Sequence, residues 1–382
     1  MCNNKYMKKI ALFGGTFNPV HNEHVALALQ AVKDLELDEL IVMPTFQPPH
    51  KSSQPAPAED RLQMLKLAFD GCDKITVSDF EIKKQGKSYT FETVEHFKDI
   101  ADKLYFIVGG DMLKDFKTWR NPDRILKACD LVAFGREDSA VDFEKEQQYF
   151  LKTFGKPFVK LSYTGKTQSS TEVRLYASLG LDISEKVPKA VAEYIKEKGL
   201  YLPDEYCEFI KKTLTEKRLI HTAEVTLTAL SKAKELGLDE KKVRISSLLH
   251  DCAKYIDYKT VEDFILPNDL PAPVVHAFLG AYVAEKWLGL TDCEIIDAIK
   301  YHTSGKPNMT TLGKLIFVAD MVEKGRNYQG VEQLREYFKG DLDVCFRECL
   351  KEEMLHLINK KQYIYKDTIE AFDYYVNGEK GE

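Results

Sequence analysis

Residues 14–24 read GGTFNPVHNEH and follow the short apolar run IALF at 10–13. An apolar run, paired glycines and then an amphipathic segment predict a buried strand, a tight turn and a helix. At such a turn the backbone can approach a ligand closely, and the helix N-terminus favours negative charge. We therefore expect a phosphate-binding site formed by Gly14, Gly15, Thr16, Phe17, His21 and His24. The alternative is that the two histidines only cap and pack the first helix.

The segment 7–200 alternates short β-rich runs with amphipathic helical stretches. The runs are KIALFGG, ELIVMP, KITVSD, KLYFIVGGD, LVAFGR and FVKLS. Near-continuous apolar strands that alternate with helices are typical of a parallel α/β sheet covered on both faces. This half is thus predicted to be an α/β domain with its ligand at a strand-to-helix turn.

The pattern changes after Leu202 and Pro203, where the β-rich runs stop. The later segments have the apolar period of helices, and prolines and glycines separate them. This predicts an all-α domain of about six to eight helices, by pattern counting. A helix that ends in Gly199, with a proline shortly after it, places the boundary there. We expect domains at 1–201 and 202–382.

Length, charge and cysteine usage narrow the class of protein. A chain of 382 residues is longer than one core usually serves, and a net charge of −6 argues against a general nucleic-acid or anionic-membrane binder. Eight cysteines lack paired spacing, which favours reduced thiols. Without a signal-peptide core or a membrane-spanning apolar segment, the sequence predicts a cytoplasmic protein.

Residues 14–24 are similar to the phosphate-binding signature of the nucleotidyltransferase superfamily, in the form found in bacterial nicotinate-nucleotide adenylyltransferases. Four further segments fit that family in order: PTFQPPHK (44–51), KSYTFETV (87–94), GGDMLKDFKTW (109–119) and SSTEVR (169–174). The resemblance covers about residues 7–200 and implies a Rossmann-like fold. One departure is Glu23, which stands where the family has glycine before the second histidine.

The resemblance implies roles for these motifs. His21 and His24 would hydrogen-bond the phosphates of ATP, and a second phosphate clamp would comprise Ser169, Ser170, Thr171 and Arg174. The remaining implied contacts are Asp111 to the ribose, Trp119 to the pyridine ring, Tyr89 and Thr90 to its carboxylate, and Lys51 with His50 to the mononucleotide phosphate. The reaction would join nicotinate mononucleotide and ATP into deamido-NAD and pyrophosphate, with Mg²⁺ carried by the nucleotide.

Each of these motifs has a simpler interpretation when taken alone. SSTEVR is typical of an ordinary capping box at a helix start. A single tryptophan such as Trp119 is more often a core residue, and a single lysine such as Lys51 is more often solvated. The functional interpretation depends on the joint order of the motifs. A different phosphorylated acceptor, such as phosphopantetheine, remains the alternative substrate.

The helical half contains histidines and aspartates inside apolar stretches. They are His221, His250, Asp251, His276, His302 and Asp320. Imidazole and carboxylate ligands suit Fe, Mn, Zn and similar divalent ions, and converging helices can bring them to one core. A buried histidine is more often satisfied by a carbonyl than by a metal. Burial of both carboxylates without a cation would nevertheless be costly, so we expect a metal site.

The order H…HD…H…H…D is similar to that of the HD-domain phosphohydrolases, and resembles most closely the symmetrical diadenosine tetraphosphate hydrolases among them. The resemblance covers about residues 204–375. It implies one metal held by His221, His250, Asp251 and Asp320, and a second held by His276 and His302, with Asp251 as the bridge. The implied metal is iron, with manganese as the alternative. Residues 321–325 depart from the family pattern at this site.

The resemblance also implies that Lys254 and Arg326 neutralise the polyphosphate, with Lys254 close to the chemistry. Lysine and arginine are common on surfaces, so the alternative is that both are ordinary solvated charges. The sequence thus predicts a bifunctional enzyme whose partners are ATP, nicotinate mononucleotide and diadenosine tetraphosphate. The alternative for the second half is a domain acting on other nucleotides or a nucleotide-sensing module. A homo-oligomer is compatible with the sequence.

Overall fold

The computed structural model describes residues 7–47, 55–137, 141–166 and 168–378. The chain forms two compact units. The first comprises Met1–Arg174 with Asp182–Tyr201, and the second comprises Leu175–Leu181 with Leu202–Glu382. Residues 175–181 are thus grouped with the second unit, whereas the sequence predicted a single boundary after residue 201.

The first unit is built on a six-stranded parallel sheet with the order β3-β2-β1-β4-β5-β6. Its strands are β1 (Lys9–Gly15), β2 (Glu39–Pro44), β3 (Ile75–Val77), β4 (Lys103–Gly109), β5 (Asp130–Arg136) and β6 (Val159–Gly165). The parallel sheet and all six predicted runs are confirmed. The strand order reverses between β1 and β4, and ligands of open α/β sheets bind outside the carboxyl ends of the strands at such a point.

In the described residues of this part of the chain, eight helices accompany the strands. They are α1 (Asn22–Asp34), α2 (Ala58–Ala68), α3 (Phe80–Lys84), α4 (Thr90–Phe97), α5 (Pro122–Ala128), α6 (Phe143–Phe154), α7 (Ser170–Ser178) and α8 (Lys189–Lys198). The central strand β1 is buried on both faces: Ile10 and Leu12 on one face and Ala11 on the other have no exposed surface. Helices therefore cover both faces, as expected for a parallel sheet.

A buried arginine, Arg61 of α2, connects the carboxyl ends of β1 and β2. Its side chain is only 1% exposed. It donates hydrogen bonds to the carbonyl oxygens of Thr16 at 2.8 Å and Thr45 at 2.7 Å. A buried charge is tolerated when such hydrogen bonds satisfy it. Arg61 thus fixes the turn that follows β1, a role that the sequence analysis missed.

The second unit is helical. Within the described residues after 202 its α-helices number nine: α9 (Glu205–Thr213), α10 (Glu216–Ala233), α11 (Glu240–Leu249), α12 (Ala272–Lys286), α13 (Cys293–Lys300), α14 (Thr311–Val322), α15 (Val331–Lys339), α16 (Leu342–Asn359) and α17 (Lys366–Phe372). A π-helical turn, Asp373–Asn377, follows α17. In the described part of the chain, no helix is both long and apolar enough to cross a membrane.

Two predicted helices end earlier than expected, and this matters for the site. The sequence predicts helices over the segments KVRISSLLHDCAKY (242–255) and CEIIDAIKYHT (293–303), whereas α11 ends at Leu249 and α13 at Lys300. The predicted count of six to eight helices was also too low, and α15 and α17 are the helices that were not recognised. His250 and His302 therefore lie just beyond helix C-termini, where carbonyl groups lack intrahelical partners.

Candidate active sites

The first histidine pair lies where β1 leads into α1. His21 is the N-cap residue of α1 and is 5% exposed. The rings of His21 and His24 are stacked with centroids 3.7 Å apart, and His24 Nδ1 accepts a hydrogen bond from the His21 backbone N–H at 3.2 Å. The Phe17 side chain is buried and meets the His24 ring edge-on at 5.0 Å. The two histidines therefore cap α1, as the alternative interpretation expected, and Phe17 packs against the His24 ring.

The surroundings of this pair favour an anion. Burial, and then the positive charge of Arg136, lower the pKa of His21 to about 3. His21 is thus a neutral imidazole that acts through hydrogen bonds. Arg136 is exposed at the carboxyl end of β5 and adds a cation to this edge of the sheet. The sequence analysis missed Arg136, although its position at a strand end was a usable signal.

The predicted second phosphate clamp packs against the same turn. Ser170 Oγ donates a hydrogen bond to the Pro19 carbonyl at 2.9 Å, and Arg174 Nη1 donates one to the Asn18 carbonyl at 2.8 Å. Arg174 Nη2 also donates to Thr171 Oγ1 at 3.1 Å. The structure therefore brings the start of α7 to the 14–24 turn.

Within the clamp, Ser169 also acts as a helix cap. Its Oγ accepts a hydrogen bond from the Glu172 backbone N–H at 3.1 Å. This is the capping geometry that the sequence offered as the simpler interpretation. The start of α7 is therefore both a capped helix end and a neighbour of the 14–24 turn. As with the histidine pair, the capping role does not exclude a phosphate-binding role.

Asp111 is placed by the neighbouring strand. It lies in a 3₁₀ turn, Gly110–Met112, directly after β4, and its side chain is exposed. The Asp111 carboxylate lies so close over Gly109 that a Cβ atom on residue 109 would collide with Oδ1. The residue predicted to contact the ribose thus lies at the carboxyl end of β4, the neighbour of β1 in the sheet.

The predicted mononucleotide residues lie at the edge of the hydrophobic core under β4. Tyr89 is the N-cap residue of α4, whose first residue is Thr90. Trp119 is half-buried, with its ring 5.2 Å from that of Phe116, and the Arg120 guanidinium stacks 4.6 Å above the Tyr89 ring. Arg120 is a cation that the sequence analysis did not select. Lys51 and His50 lie outside the described residues.

In the second unit, all six predicted metal ligands converge. His276 Nε2 lies 2.9 Å from Asp251 Oδ1, and His221 Nε2 lies 3.0 Å from Asp320 Oδ1. His276 Nε2 is also 3.2 Å from His302 Nε2. The possible ligand atoms form two groups of three, and within each group they lie within 4.8 Å of one another. One group comprises His221, His250 and Asp320, and the other comprises His250, Asp251 and His302. We name these six residues the HD cluster.

Backbone carbonyls orient two of the imidazoles in the same way. His250 Nδ1 lies 2.6 Å from the Ser247 carbonyl oxygen, and His302 Nδ1 lies 2.7 Å from that of Ile299. Each carbonyl is three residues earlier, in the last turn of the preceding helix. If Nδ1 carries the proton that this contact requires, the lone pair of Nε2 points into the HD cluster. The early helix ends therefore create two metal-ligand geometries.

A third imidazole is oriented by a carboxylate. Glu323 is 3% exposed, and its Oε1 lies 3.0 Å from His221 Nδ1. Burial lowers the pKa of His221, but the hydrogen bonds with Asp320 and Glu323 outweigh it and raise that pKa above its usual value. Carboxylate–histidine pairs of this kind commonly support metal ligands. Glu323 lies in the 321–325 segment, and the sequence analysis did not select it as a site residue.

Three cations border the HD cluster. Arg218 Nη1 lies 2.7 Å from Asp251 Oδ2, Arg326 donates to the Asp320 carbonyl at 2.7 Å, and Lys254 Nζ lies 3.2 Å from His276 Nε2. Arg326 also contacts the Asp320 carboxylate. Lys254 and Arg326 were predicted; Arg218 was missed, although it lies one helical turn before His221.

Both aspartates of the HD cluster are ionised. Burial raises the pKa of Asp251, but its histidine neighbours, His250 foremost, outweigh burial and hold it well below the usual range. Burial also raises the pKa of Asp320, whereas His221 and Arg326 hold it well below that range. Asp251 Oδ1 is buried and makes no hydrogen bond of acceptable direction, despite its distance of 2.9 Å from His276 Nε2. Ionised carboxylates with converging imidazole nitrogens fit a divalent metal.

Comparison with known proteins agrees with this geometry. The cytidylyltransferase-like family matches residues 12–175, and the HD-domain family matches residues 218–325. A Clostridium tetani protein, "Probable nicotinate-nucleotide adenylyltransferase", is 40% identical over 51% of this chain and 100% of its own length. A Bacillus subtilis protein, "Bis(5'-nucleosyl)-tetraphosphatase, symmetrical", is 37% identical over 44% of this chain and 95% of its own length.

The chain belongs to both enzyme families. It is a fusion of a nicotinate-nucleotide adenylyltransferase-family unit with an HD-domain unit of the symmetrical tetraphosphatase family. The same combination occurs in a Mycoplasma genitalium protein, "Probable nicotinate-nucleotide adenylyltransferase/Ap4A hydrolase", which is 28% identical over 90% of this chain and 97% of its own length. The two expected family resemblances are therefore confirmed, and the candidate sites lie in the segments that carry them.

Proposed function

We propose that the first unit transfers the adenylyl group of ATP to nicotinate mononucleotide, giving deamido-NAD and pyrophosphate. The observation that carries this proposal is the meeting of two predicted phosphate clamps at one turn, through the Ser170–Pro19 and Arg174–Asn18 hydrogen bonds. The name of the Clostridium tetani relative supports the choice of acceptor.

The transfer needs positioning and charge stabilisation rather than a covalent enzyme intermediate. A phosphate oxygen of the mononucleotide attacks the α-phosphorus of ATP, and the bond to the bridging oxygen of the β-phosphate breaks. Pyrophosphate leaves with the Mg²⁺ that accompanied ATP. His21 is neutral, since its pKa is lowered to about 3; it and His24 hydrogen-bond the phosphate chain. Arg174 and Arg136 balance the charge that develops on the leaving group.

For the second unit, we propose symmetrical hydrolysis of diadenosine tetraphosphate to two ADP at a dinuclear metal site. His221, His250, Asp251 and Asp320 would hold one metal, and Asp251 would bridge to a second held by His276 and His302. Iron is the proposed metal, with manganese as the alternative. Bound divalent metals supply Lewis acidity, which activates water and polarises a phosphoryl group.

The residues around the HD cluster suit a polyphosphate with a nucleoside at its end. Lys254 and Arg326 present positive charge beside the ligands. A cavity of about 210 Å³ is lined by Thr303, the residue after His302, and by Tyr363 and Tyr365. Aromatic walls of this kind stack on nucleobases. We assign this cavity to one adenosine of the substrate.

Product analysis by chromatography tests both activities on the full chain. With ATP, Mg²⁺ and nicotinate mononucleotide we expect deamido-NAD; with Mn²⁺ or Fe²⁺ and diadenosine tetraphosphate we expect ADP alone, lost on chelation. Product from phosphopantetheine instead of the mononucleotide would overturn the first assignment. Metal binding without turnover would overturn the second and favour a sensing role.

A further inference from the structure

Glu23, the residue that departs from the adenylyltransferase signature, turns its carboxylate toward β6. Its Oε2 accepts a hydrogen bond from Tyr163 Oη at 2.6 Å and another from the Lys166 backbone N–H at 2.8 Å. The backbone N–H of Glu23 donates to Gln168 Oε1 at 3.3 Å. Tyr163 belongs to β6, and the other two partners follow that strand. Glu23 is therefore engaged with the segment between β6 and α7.

That segment leads directly into the second phosphate clamp. The clamp is already held to the 14–24 turn on one side, through Ser170 and Pro19. Glu23 adds a connection on the other side, from the first turn of α1 to residues 163–168. The two clamps are thus fixed to each other by contacts on both sides of His21.

We infer that Glu23 is a positioning residue for adenylyl transfer: its hydrogen bonds to Tyr163 and Lys166 hold the His21–His24 helix start and the start of α7 at one spacing, which suits the triphosphate of ATP. The inference rests on the proposed adenylyl transfer. The same hydrogen bonds direct the carboxylate at β6. This direction matters because an unpaired carboxylate beside His24 would repel phosphate. Charged acceptors form the stronger hydrogen bonds, so this connection is well suited to fix a spacing.

The chain contains a matched control at the other end of the same helix. Asp34 Oδ2 accepts hydrogen bonds from the backbone N–H and the Oγ of Ser162, at 2.9 Å and 2.7 Å. Like Glu23, it connects α1 to β6 through one hydroxyl and one backbone N–H. Asp34 lies eleven residues after Glu23, which is roughly 16 Å along the helix. If these connections only stabilise the fold, substitution of Asp34 and substitution of Glu23 should have the same effect.

The test compares Tyr163→Phe, Glu23→Gln and Asp34→Asn in the full chain. We expect the first two to raise the KM for ATP about tenfold with a smaller change in kcat. Tyr163→Phe removes one of the two hydrogen bonds that Glu23 Oε2 accepts, and Glu23→Gln removes the negative charge that strengthens both. Asp34→Asn should leave the KM for ATP within about twofold. Thermal unfolding of all three variants, followed alongside, separates a loss of stability from a loss of positioning.

Two results would overturn the inference. One is an equal rise in the KM for ATP in Asp34→Asn, and the other is an unchanged KM in Tyr163→Phe and Glu23→Gln. If the wild-type protein does not adenylylate nicotinate mononucleotide, the proposed function fails separately. Calorimetric binding of a non-hydrolysable ATP analogue to the same variants then still decides the positioning role, since a tenfold weaker Kd only in the Glu23 and Tyr163 variants would support it.

Discussion

The two units use histidine in opposite electrostatic surroundings. In the first unit, the charge that acts on His21 is that of the Arg136 cation. In the second unit, His221 lies 3.0 Å from a carboxylate oxygen of Asp320 and 3.0 Å from one of Glu323. Even Glu23, the carboxylate closest in sequence to the first pair, is directed at β6. The cation beside His21 suits the proposed phosphate contact, whereas the carboxylates beside His221 suit the proposed metal site.

A lowered histidine pKa does not by itself separate the two kinds of site. Burial lowers the pKa of His302 in the HD cluster to about 3, the same value as for His21. Both are neutral imidazoles with a nitrogen available for a ligand. The difference lies in the neighbours: Asp251 Oδ1 is 3.8 Å from His302 Nε2. The companions of a histidine, rather than its own protonation, therefore decide what it binds.

The largest expected effect comes from removing the shared carboxylate of the metal site. Asp251→Ala should abolish metal binding and reduce tetraphosphate hydrolysis by about 1,000-fold or more, while adenylyl transfer stays unchanged. Metal analysis and ADP release measure the two effects. Asp343→Ala is the control, because Asp343 is 59% exposed and paired with Lys314 at the surface. Retained hydrolysis in Asp251→Ala would refute the metal assignment.

The reciprocal change is His24→Ala in the first unit. Loss of a hydrogen bond to the transition state should lower kcat for adenylyl transfer by roughly 100-fold to 1,000-fold, with metal content and hydrolysis unaffected. His96→Ala serves as the control, since His96 stacks on Phe80 with centroids 4.0 Å apart and belongs to no motif. A fall in the metal content of His24→Ala would contradict the assignment of His24 to phosphate binding rather than to metal binding.

A smaller effect, on metal affinity, is expected from Glu323, the carboxylate that orients His221. Glu323→Gln removes the charge behind His221 and should weaken metal affinity by about 10-fold to 100-fold. Metal titration of the purified variant measures this. The matched change is Glu332→Gln, at a residue whose side chain is 81% exposed. Equal metal affinity in the two variants would mean that Glu323 does not orient His221 for metal binding.

The aromatic wall of the second site should matter less, and only for substrate binding. Tyr363→Ala removes a ring from the cavity beside the HD cluster, and we expect about a tenfold higher KM for diadenosine tetraphosphate with unchanged metal content. Tyr374→Ala is the control, because that tyrosine is 50% exposed and does not line the cavity. A lowered kcat with an unchanged KM would place the nucleoside elsewhere.

The smallest effect concerns pH. His21 has a folded pKa of about 3 against a usual 6.5, so acid protonates the unfolded chain first. Its burial as a neutral group therefore costs stability progressively as pH falls from 6.5 toward 3. His21→Gln should flatten this fall. The chain has two tryptophans, so denaturation of a Trp287→Phe background reports the first unit through Trp119. Parallel pH curves for the two proteins would contradict the buried neutral state.

Much of the fold followed from periodicity alone, because covering a sheet or a helix bundle imposes regular apolar spacing. All six strands and the change to helices near 202 were predicted in this way. The helices α15 and α17 were not recognised from the pattern. The helix ends at Leu249 and Lys300 escaped as well, because the histidine–carbonyl contacts that follow them are not visible in a pattern.

The sequence by itself determined which chemistry is present: paired histidines after a glycine turn in one half, and histidines with aspartates in apolar stretches in the other. Only the tertiary structure decided the neighbours. Arg136, Arg218 and Glu323 lie 115, 33 and 102 residues from His21, Asp251 and His221, their respective partners. Spacing along the chain carries no information about such pairs, because they form where separate strands and helices end together. The direction of the Glu23 carboxylate was undecided for the same reason, since its partners on and after β6 are 140 and 143 residues away.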